Sequence, residues 1–529
     1  MRKIGITVAV VVVLLGAVGY GLAVYGPPEI RTAINKIVKI GVPQADPRPA
    51  LDEAIRNLPA GYTASYKTAE YDVVTDTLTV SGIALHTVEG ADVSADQIAV
   101  VHPSKSFDTD WAQAKANPTQ IPQDKAIPFA GAISVKGVKL HAPSADATLA
   151  SMRVDGLRLY PWALLHPGIP NWSEAMAKAA AAKEQPKIED VLPLLRVESA
   201  LLLGLGYDRY LAEAMHVSAK SQAGPNEVDV VYDIAKFEGM GMERGAGGAG
   251  SGEGISAQIG GMGVFTAERI AAGGINLRKP MTRVLESDTL TPEMLDGFAI
   301  DKIEYAGMKV TPTGATAIPV GTLTISKIAF TGSVPVSGDL AYSGLRLSRA
   351  QLPDPRTQEV FNQLGIDTMT ISLGLSYRWE IDKKRVTVTD LRYKVDELGA
   401  ANVSVDLAEM TPSMAVLQQG QLAHATVRYD DGSGIERAFK IMATENQADP
   451  AEFRQQIIDM VEAQAQAMGD SPEISGAAKA VIAFLQAPKN LTVEIAPAQP
   501  VPFATLQGAA AMPPPEIAKL LGLKVTANQ

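Results

Sequence analysis

Apolar and polar residues alternate in short runs along most of this chain, and in many runs the alternation slips by one place at the same point. Residues 133–140, Ile-Ser-Val-Lys-Gly-Val-Lys-Leu, show the form: apolar-x-apolar-x-Gly-apolar-x-apolar. Leu78–Leu85, Met152–Leu159, Ile303–Val310 and Leu340–Leu347 repeat it, and Leu323–Phe330 and Val386–Tyr393 repeat it with Lys327 and Asp390 in place of glycine. Alternation marks a strand with one buried and one solvated face. A one-residue slip would send the second apolar pair to the wrong face, and a β-bulge at the glycine restores it. Glycine and aspartate suit a left-handed backbone there. Lys327 suits it less, so that copy is expected to bulge in the right-handed region.

The order of copies predicts an internal duplication. Copies at 78, 133 and 152 are followed by helical segments over 172–184 and 188–203 and by Leu205-Gly206-Tyr207-Asp208. Copies at 303, 323 and 340 are followed by a helix near 357–363 and by Leu364-Gly365-Ile366-Asp367. Strict alternation from Met369 to Ile381 and a turn at 382–384 lead into the last copy. Asp208 and Asp367 are expected to cap equivalent helix-to-strand turns. Residues 91–128 read as an insertion and 239–263 as a glycine-rich loop. Gly245, Gly247 and Gly250 match a dinucleotide-binding spacing, but no helix opens after them. Segments 423–429 and 435–442 flank Asp430-Asp431-Gly432-Ser433-Gly434 and predict a hairpin. Helices are expected over 453–468, with Asp449-Pro450 as its cap, and over 474–486, 503–512 and 515–521, with a strand at 491–495.

Before all of this, Arg2 and Lys3 precede an uncharged run from Ile4 to Tyr25, 22 residues that as a helix would span about 30 Å of hydrocarbon. The expected fold class is therefore α+β and β-rich: an N-terminal transmembrane helix, duplicated curved antiparallel sheets of bulged strands with helical crossovers, and a helical C-terminal part. The expected divisions are an anchor at 1–28, a helical stalk and linker at 29–59, a first β-rich unit at 60–240, a glycine-rich connection at 241–289, a second unit at 290–410, and a hairpin with a helical cap at 411–529. The anchor implies a bacterial inner membrane as partner, with the bulk of the chain periplasmic.

Composition narrows the chemistry. With no cysteine, disulfides, thiolate metal sites and a cysteine nucleophile are excluded. The net charge of −11 without a basic run argues against nucleic acid. The six histidines form no close pair in sequence, and His86, His141 and His424 sit on or beside strands, as exposed or satisfied groups. Asp430, Asp431 and Glu436 lack the spacing of an EF-hand. Trp379 falls on an apolar face and reads as core. No catalytic, cofactor or metal residue is assigned. The charged tip, single anchor and bulged strands together resemble the AsmA-like envelope proteins of Proteobacteria and chains of YdgA-type organisation. That resemblance implies a non-enzymatic envelope protein whose curved sheet contacts lipid. The alternatives are a periplasmic scaffold with a closed core, holding an envelope protein, and an envelope hydrolase.

Overall fold

The computed structural model describes residues 46–529, apart from 57, 59–61, 88–89, 144, 170–187, 224–225, 290, 353, 412–419, 470 and 510–511. Twenty antiparallel strands dominate the described residues, and the chain divides into two compact units. Unit one comprises residues through Ile303 with 311–315 and 331–333, and unit two the remainder.

In unit one, helix α1 (Arg48–Arg56) precedes strands β1 (Thr63–Ser65) and β2 (Thr68–Asp72), which pair with successive halves of β3 (Thr77–His86). From β3 the chain meanders through β4 (Asp92–Pro103), β5 (Ile127–Ala142), β6 (Ala145–Leu159), β7 (Leu205–Ala223), β8 (Asn226–Glu243), β9 (Ala246–Ile259) and β10 (Gly263–Asn276), each pairing with the next. Helix α2 (Phe107–Ala116) fills the β4–β5 connection. Helices α3 (Pro161–Leu164) and α4 (Ile188–Gly204) fill the β6–β7 connection, and α5 (Arg278–Glu286) follows β10. These helices close one end of the sheet over a core that includes Phe107, Trp111, Leu159, Val197, Leu203 and Leu285.

Strands β11 (Ala299–Pro312) and β12 (Ile318–Thr331) come next. In unit two, β13 (Val334–Ser348), helix α6 (Pro355–Leu364), β14 (Thr368–Glu380), β15 (Arg385–Val395), β16 (Gly399–Ala408) and β17 (Gln421–Asp431) continue a second meander. Helices α7 (Gly434–Glu445), α8 (Pro450–Ala467) and α9 (Pro472–Gln486) lead to β18 (Asn490–Ile495). Strand β19 (Val501–Pro502), helices α10 (Phe503–Gly508) and α11 (Pro514–Leu521), and β20 (Leu523–Ala527) complete the chain. Asp449 caps α8, with its carboxylate accepting from the Ala451 and Glu452 N–H groups and Pro450 at the first helical position, as expected.

The slip in the sequence pattern has a physical form. Gly82, Gly137, Gly156, Gly307 and Gly344 all have positive φ, and so does Lys327 at +53°, contrary to the right-handed bulge expected there. In unit two the slip is a one-sided bulge: the β13–β14 register shifts between Ser343 and Leu345, around Gly344. At Asp390 the extra residue of β15 is taken up without a left-handed backbone. In unit one the ladders instead skip the same number of residues on both strands at these positions, so both strands change phase together; a one-sided shift occurs at Phe129, between Pro128 and Ala130 of β5. The skipped positions line up across the sheet as Gly82, Asp96, Gly137, Ala150, Ala214, Ala235, Gly254 and Glu268. The left-handed residue falls on every second strand, at Gly82, Gly137, Ala214 and Gly254.

A second row, from Gly156 through Asp208, Gly241 and Gly248 to Gly274, has its left-handed residues on the intervening strands, at Gly156, Gly241 and Gly274. The two rows lie six positions apart along each of β6 to β10 (Ala214 against Asp208, Gly241 against Ala235), or about 20 Å of extended chain. They act as two parallel creases. A side chain at Gly137 would collide with Asp96, whose Oδ2 lies 2.0 Å from the place a Cβ would take, and Asp208 crowds Gly156 in the same way at 2.1 Å.

Several expectations are corrected. In place of duplicated sheets the strands belong to one twenty-stranded antiparallel sheet, and no helix among the described residues is long and apolar enough to cross a membrane. The 4–25 segment, the stalk up to residue 45 and the 172–184 helix lie outside the described residues. The expected single-pass membrane anchor therefore has no support among the described residues. Residues 92–103 of the supposed insertion are β4, and the supposed loop at 239–263 is mostly the end of β8 and all of β9. The second arm of the expected hairpin at 435–442 is helix α7. Asp208 lies inside β7 and Asp367 in the turn after α6, so the two do not occupy equivalent places.

Candidate functional site

The creases decide which side chains share a face. Along β8, Val230, Tyr232 and Ile234 face inward; the phase then flips at Ala235 so that Phe237 and Gly239 do, and again at Gly241 so that Met242 does. Across the sheet the partners of these positions are Ala219, Val217, Met215, Ala212, Tyr210 and Tyr207 of β7. On the other side they are Ile259, Ala257, Ile255, Gly252 and Gly250 of β9. Crease positions Asp208, Ala214, Ala235, Gly254 and Glu268 are exposed. The result is an inner face kept apolar over the length of β7 to β10.

That face lines a cavity of 630 Å3, walled by residues of β7, β8, β9 and β10 and bounded at the α4 end by Leu202 and Leu277. It exists because of β9, whose inward positions before Ile255 are Gly247, Gly250 and Gly252. Around a Cβ at Gly247 there is nothing within 4 Å. Strand interiors favour β-branched and aromatic side chains, and glycine there weakens the strand. The space is too large for a packing flaw. Its size falls within the roughly 300–1,000 Å3 range of ligand pockets.

Met215, Met240 and Met242 contribute flexible thioethers that adapt to irregular occupants. Tyr207 and Tyr232 contribute phenols, and burial raises the pKa of both, so they remain protonated donors at neutral pH. Tyr210, behind Tyr207, is pushed up to about 12, first by burial and then by Tyr207. The rings of Tyr207 and Tyr210 lie 6.2 Å apart, and Tyr210 meets Phe237 edge-on at 5.7 Å. Gly239 makes room for the Tyr207 ring, since a Cβ there would come within 3.2 Å of the hydroxyl.

At the α4 end, β8 and β9 join through Arg244-Gly245, both with positive φ, a two-residue type I′ turn. The Arg244 guanidinium stacks 5.7 Å from the Tyr160 ring and 6.0 Å from the Trp162 ring. Burial, then the neighbouring Arg278, lowers its pKa. Beside it, Arg158 bonds Asp208 at 2.8 Å and Glu243 at 2.7 Å. The aspartate expected to cap a turn thus anchors a cross-strand ion pair over Gly156.

The other candidate residues are structural. His86 pairs with Asp92 at 2.6 Å, His141 with Asp146 at 2.5 Å and His216 with Asp233 at 2.7 Å, all across strands. His424 reaches Glu494 at 3.3 Å. Asp430 is held by Arg428. Asp431 accepts from the Ser433 and Ile435 N–H groups and from the Tyr429 hydroxyl, and Glu436 pairs with Arg454. Among the described residues no group of three histidines or acids is placed to hold a metal. Trp379 is half-buried, with a buried indole N–H that has no acceptor. In unit two the apolar face is more open: Leu373, Leu391, Tyr393 and Val427 are 39–49% exposed.

A protein family described as "Uncharacterized protein" matches residues 387–528, a stretch within unit two. None of the curated proteins compared matches the chain.

Proposed function

We propose that this protein binds an elongated apolar ligand of the acyl-chain class in the cavity under β7 to β10 and performs no chemistry on it. The observation that carries the reading is the inward glycine series of β9. Three inward positions that would ordinarily hold valine or isoleucine carry no side chain, at a cost in strand stability; at Gly247 nothing lies within 4 Å of where a Cβ would stand, and the face around the three is otherwise apolar. No nucleophile–base pair lines the space; its inward polar groups are phenols. The half-exposed apolar face of unit two fits a second, shallower contact with the same kind of chain. The likeness to AsmA-like proteins supports the reading and a periplasmic place of work for it.

Two measurements test the proposal. Full-length protein isolated under mild conditions and extracted into organic solvent should release lipid detected by mass spectrometry, in a fixed ratio to protein. Delipidated protein should bind diphenylhexatriene saturably. Protein that yields no lipid and does not enhance the fluorescence of the probe would overturn the proposal.

A further inference from the structure

The polar groups of the cavity narrow its ligand. Of the inward positions of β7 to β10 that line the cavity, those with polar side chains are Tyr207 and Tyr232, with Tyr210 behind Tyr207; Lys220, Ser251 and Ser256 also border the space, from strand positions that alternate outward. Among the described residues neither the Tyr207 nor the Tyr232 hydroxyl has a hydrogen-bond partner, whereas Tyr66, Tyr71 and Tyr429 each donate to an aspartate. The Tyr207 and Tyr232 hydroxyls are thus each free to donate to a ligand that supplies an acceptor. Charge is missing from the α4 end of the same face: the one charged residue among those lining the cavity is Lys220, beside Ala219 and Val230 at the far end. His216 and Asp233 pair with each other on the outer face, between the inward Met215–Ile234 and Val217–Tyr232 pairs. An ionised head group drawn to the α4 end would lose its hydration and meet no cation among the lining residues there.

We infer that the cavity selects uncharged lipids that carry a hydrogen-bond-accepting carbonyl, such as an acyl ester, with the Tyr207 hydroxyl donating to that carbonyl. The position of Tyr207 fixes where the carbonyl sits. Tyr207 is paired with Met242 near the end bounded by Leu202 and Leu277, and its ring lies over Gly239. The ester therefore rests near the α4 end, and the chain extends past Ile234 and Ile255 toward Val230 and Phe265. Tyr232, nearer the far end, offers a second donor for a ligand with a second carbonyl. This inference rests on the apolar-ligand reading and fails separately from it.

The test is competition at pH 8 against diphenylhexatriene on delipidated full-length protein, with three competitors: a monoacylglycerol, the fatty acid of the same chain length, and the matching alkane. The monoacylglycerol should compete best and the ionised fatty acid worst. Tyr207→Phe keeps the ring and removes only the donor. It should weaken monoacylglycerol binding by about three- to tenfold, the usual value of one hydrogen bond, and leave diphenylhexatriene and the alkane unchanged. Equal competition by fatty acid and ester, or an ester affinity indifferent to Tyr207→Phe, would overturn the inference while leaving the apolar-ligand reading intact. If diphenylhexatriene itself fails to bind, it is the apolar-ligand reading that falls.

Discussion

Gly247→Leu separates a ligand cavity from a loosely packed core, because the two predict opposite pairs of outcomes. Gly247 is inward-facing on β9, pairs with Ile275, lacks a positive φ, and would place its Cβ where nothing lies within 4 Å. The new side chain therefore enters the cavity without collision. Replacing a strand glycine recovers about 0.5–1 kcal/mol of backbone entropy, and half-burying a leucine adds about 1 kcal/mol or more. Stability should rise by roughly 2 kcal/mol, seen as a higher Tm of unit one.

Ligand affinity should move the other way. The leucine contributes four carbons, and each methylene of ligand it displaces forfeits about 0.8 kcal/mol, so full displacement costs about 3 kcal/mol, a factor near one hundred in Kd. Diphenylhexatriene titration of delipidated wild-type and variant protein, beside thermal unfolding monitored by circular dichroism, reads both quantities. A variant that is more stable yet binds the probe with unchanged affinity would show that ligands bind elsewhere. A destabilised variant would show that the space is already filled.

Three further outcomes follow from the creases and the ion pairs. Gly137→Ala should lower stability by about 2–4 kcal/mol, from left-handed strain plus the collision with Asp96, and Asp96→Gly in the same chain should recover part of the loss in chemical denaturation. Ala214→Gly, at the same crease but with φ +50° already forced on an alanine, should be neutral or stabilising by up to about 1 kcal/mol; a loss as large as that of Gly137→Ala would refute the shared geometry. His141 should titrate above the ordinary imidazole value of 6.5 in an NMR pH series, because it bonds Asp146, and Asp146→Asn should bring it down. Since the folded value exceeds the unfolded one, its contribution to stability is complete below the unfolded pKa and is lost as pH rises through the folded one. An imidazole midpoint at or below 6.5 would remove the hydrogen bond from the account.

What could be read from the sequence depended on whether a residue carries a hydropathy signal. Ile133, Val135, Val138 and Leu140 announce their strand, and the glycine among them announces the change of phase, so β3, β5, β6, β13 and β15 were legible. The capped helix at Asp449-Pro450 was legible because both residues have one local use. Strand β9 was not: Ala-Gly-Gly-Ala-Gly-Ser-Gly has no alternation to detect, and only its pairing with β8 and β10 makes it a strand. Nor could β7 and β8 be recognised as copies, because Ala214 and Gly241 make the same left-handed step within less regular flanks. Asp208 was misplaced for a related reason. Leu-Gly-Tyr-Asp and Leu-Gly-Ile-Asp look alike, yet one starts a strand that is paired on both sides and the other ends a helix at the left-handed Gly365.

The illegible strand is also the one on which the proposed function turns. A sheet whose only task was to close a core would put large side chains at 247, 250 and 252. At 247, where nothing lies within 4 Å of a Cβ, such a side chain would add roughly 2 kcal/mol through burial and recovered backbone entropy. The rest of the face shows that the fold tolerates such residues: Ile234, Phe237, Ile255, Ile270 and Ile275 surround the glycines. The creases keep those neighbours inward on either side of each change of phase, so the emptiness is confined to one strand and is not a general looseness of the sheet. Stability forgone there, inside a face otherwise built for burial, is what the proposed binding site would cost the protein. On the proposed reading the apolar surroundings and the unpartnered phenols belong together: the glycines would admit the chain, and Tyr207 would tell one chain-bearing molecule from another.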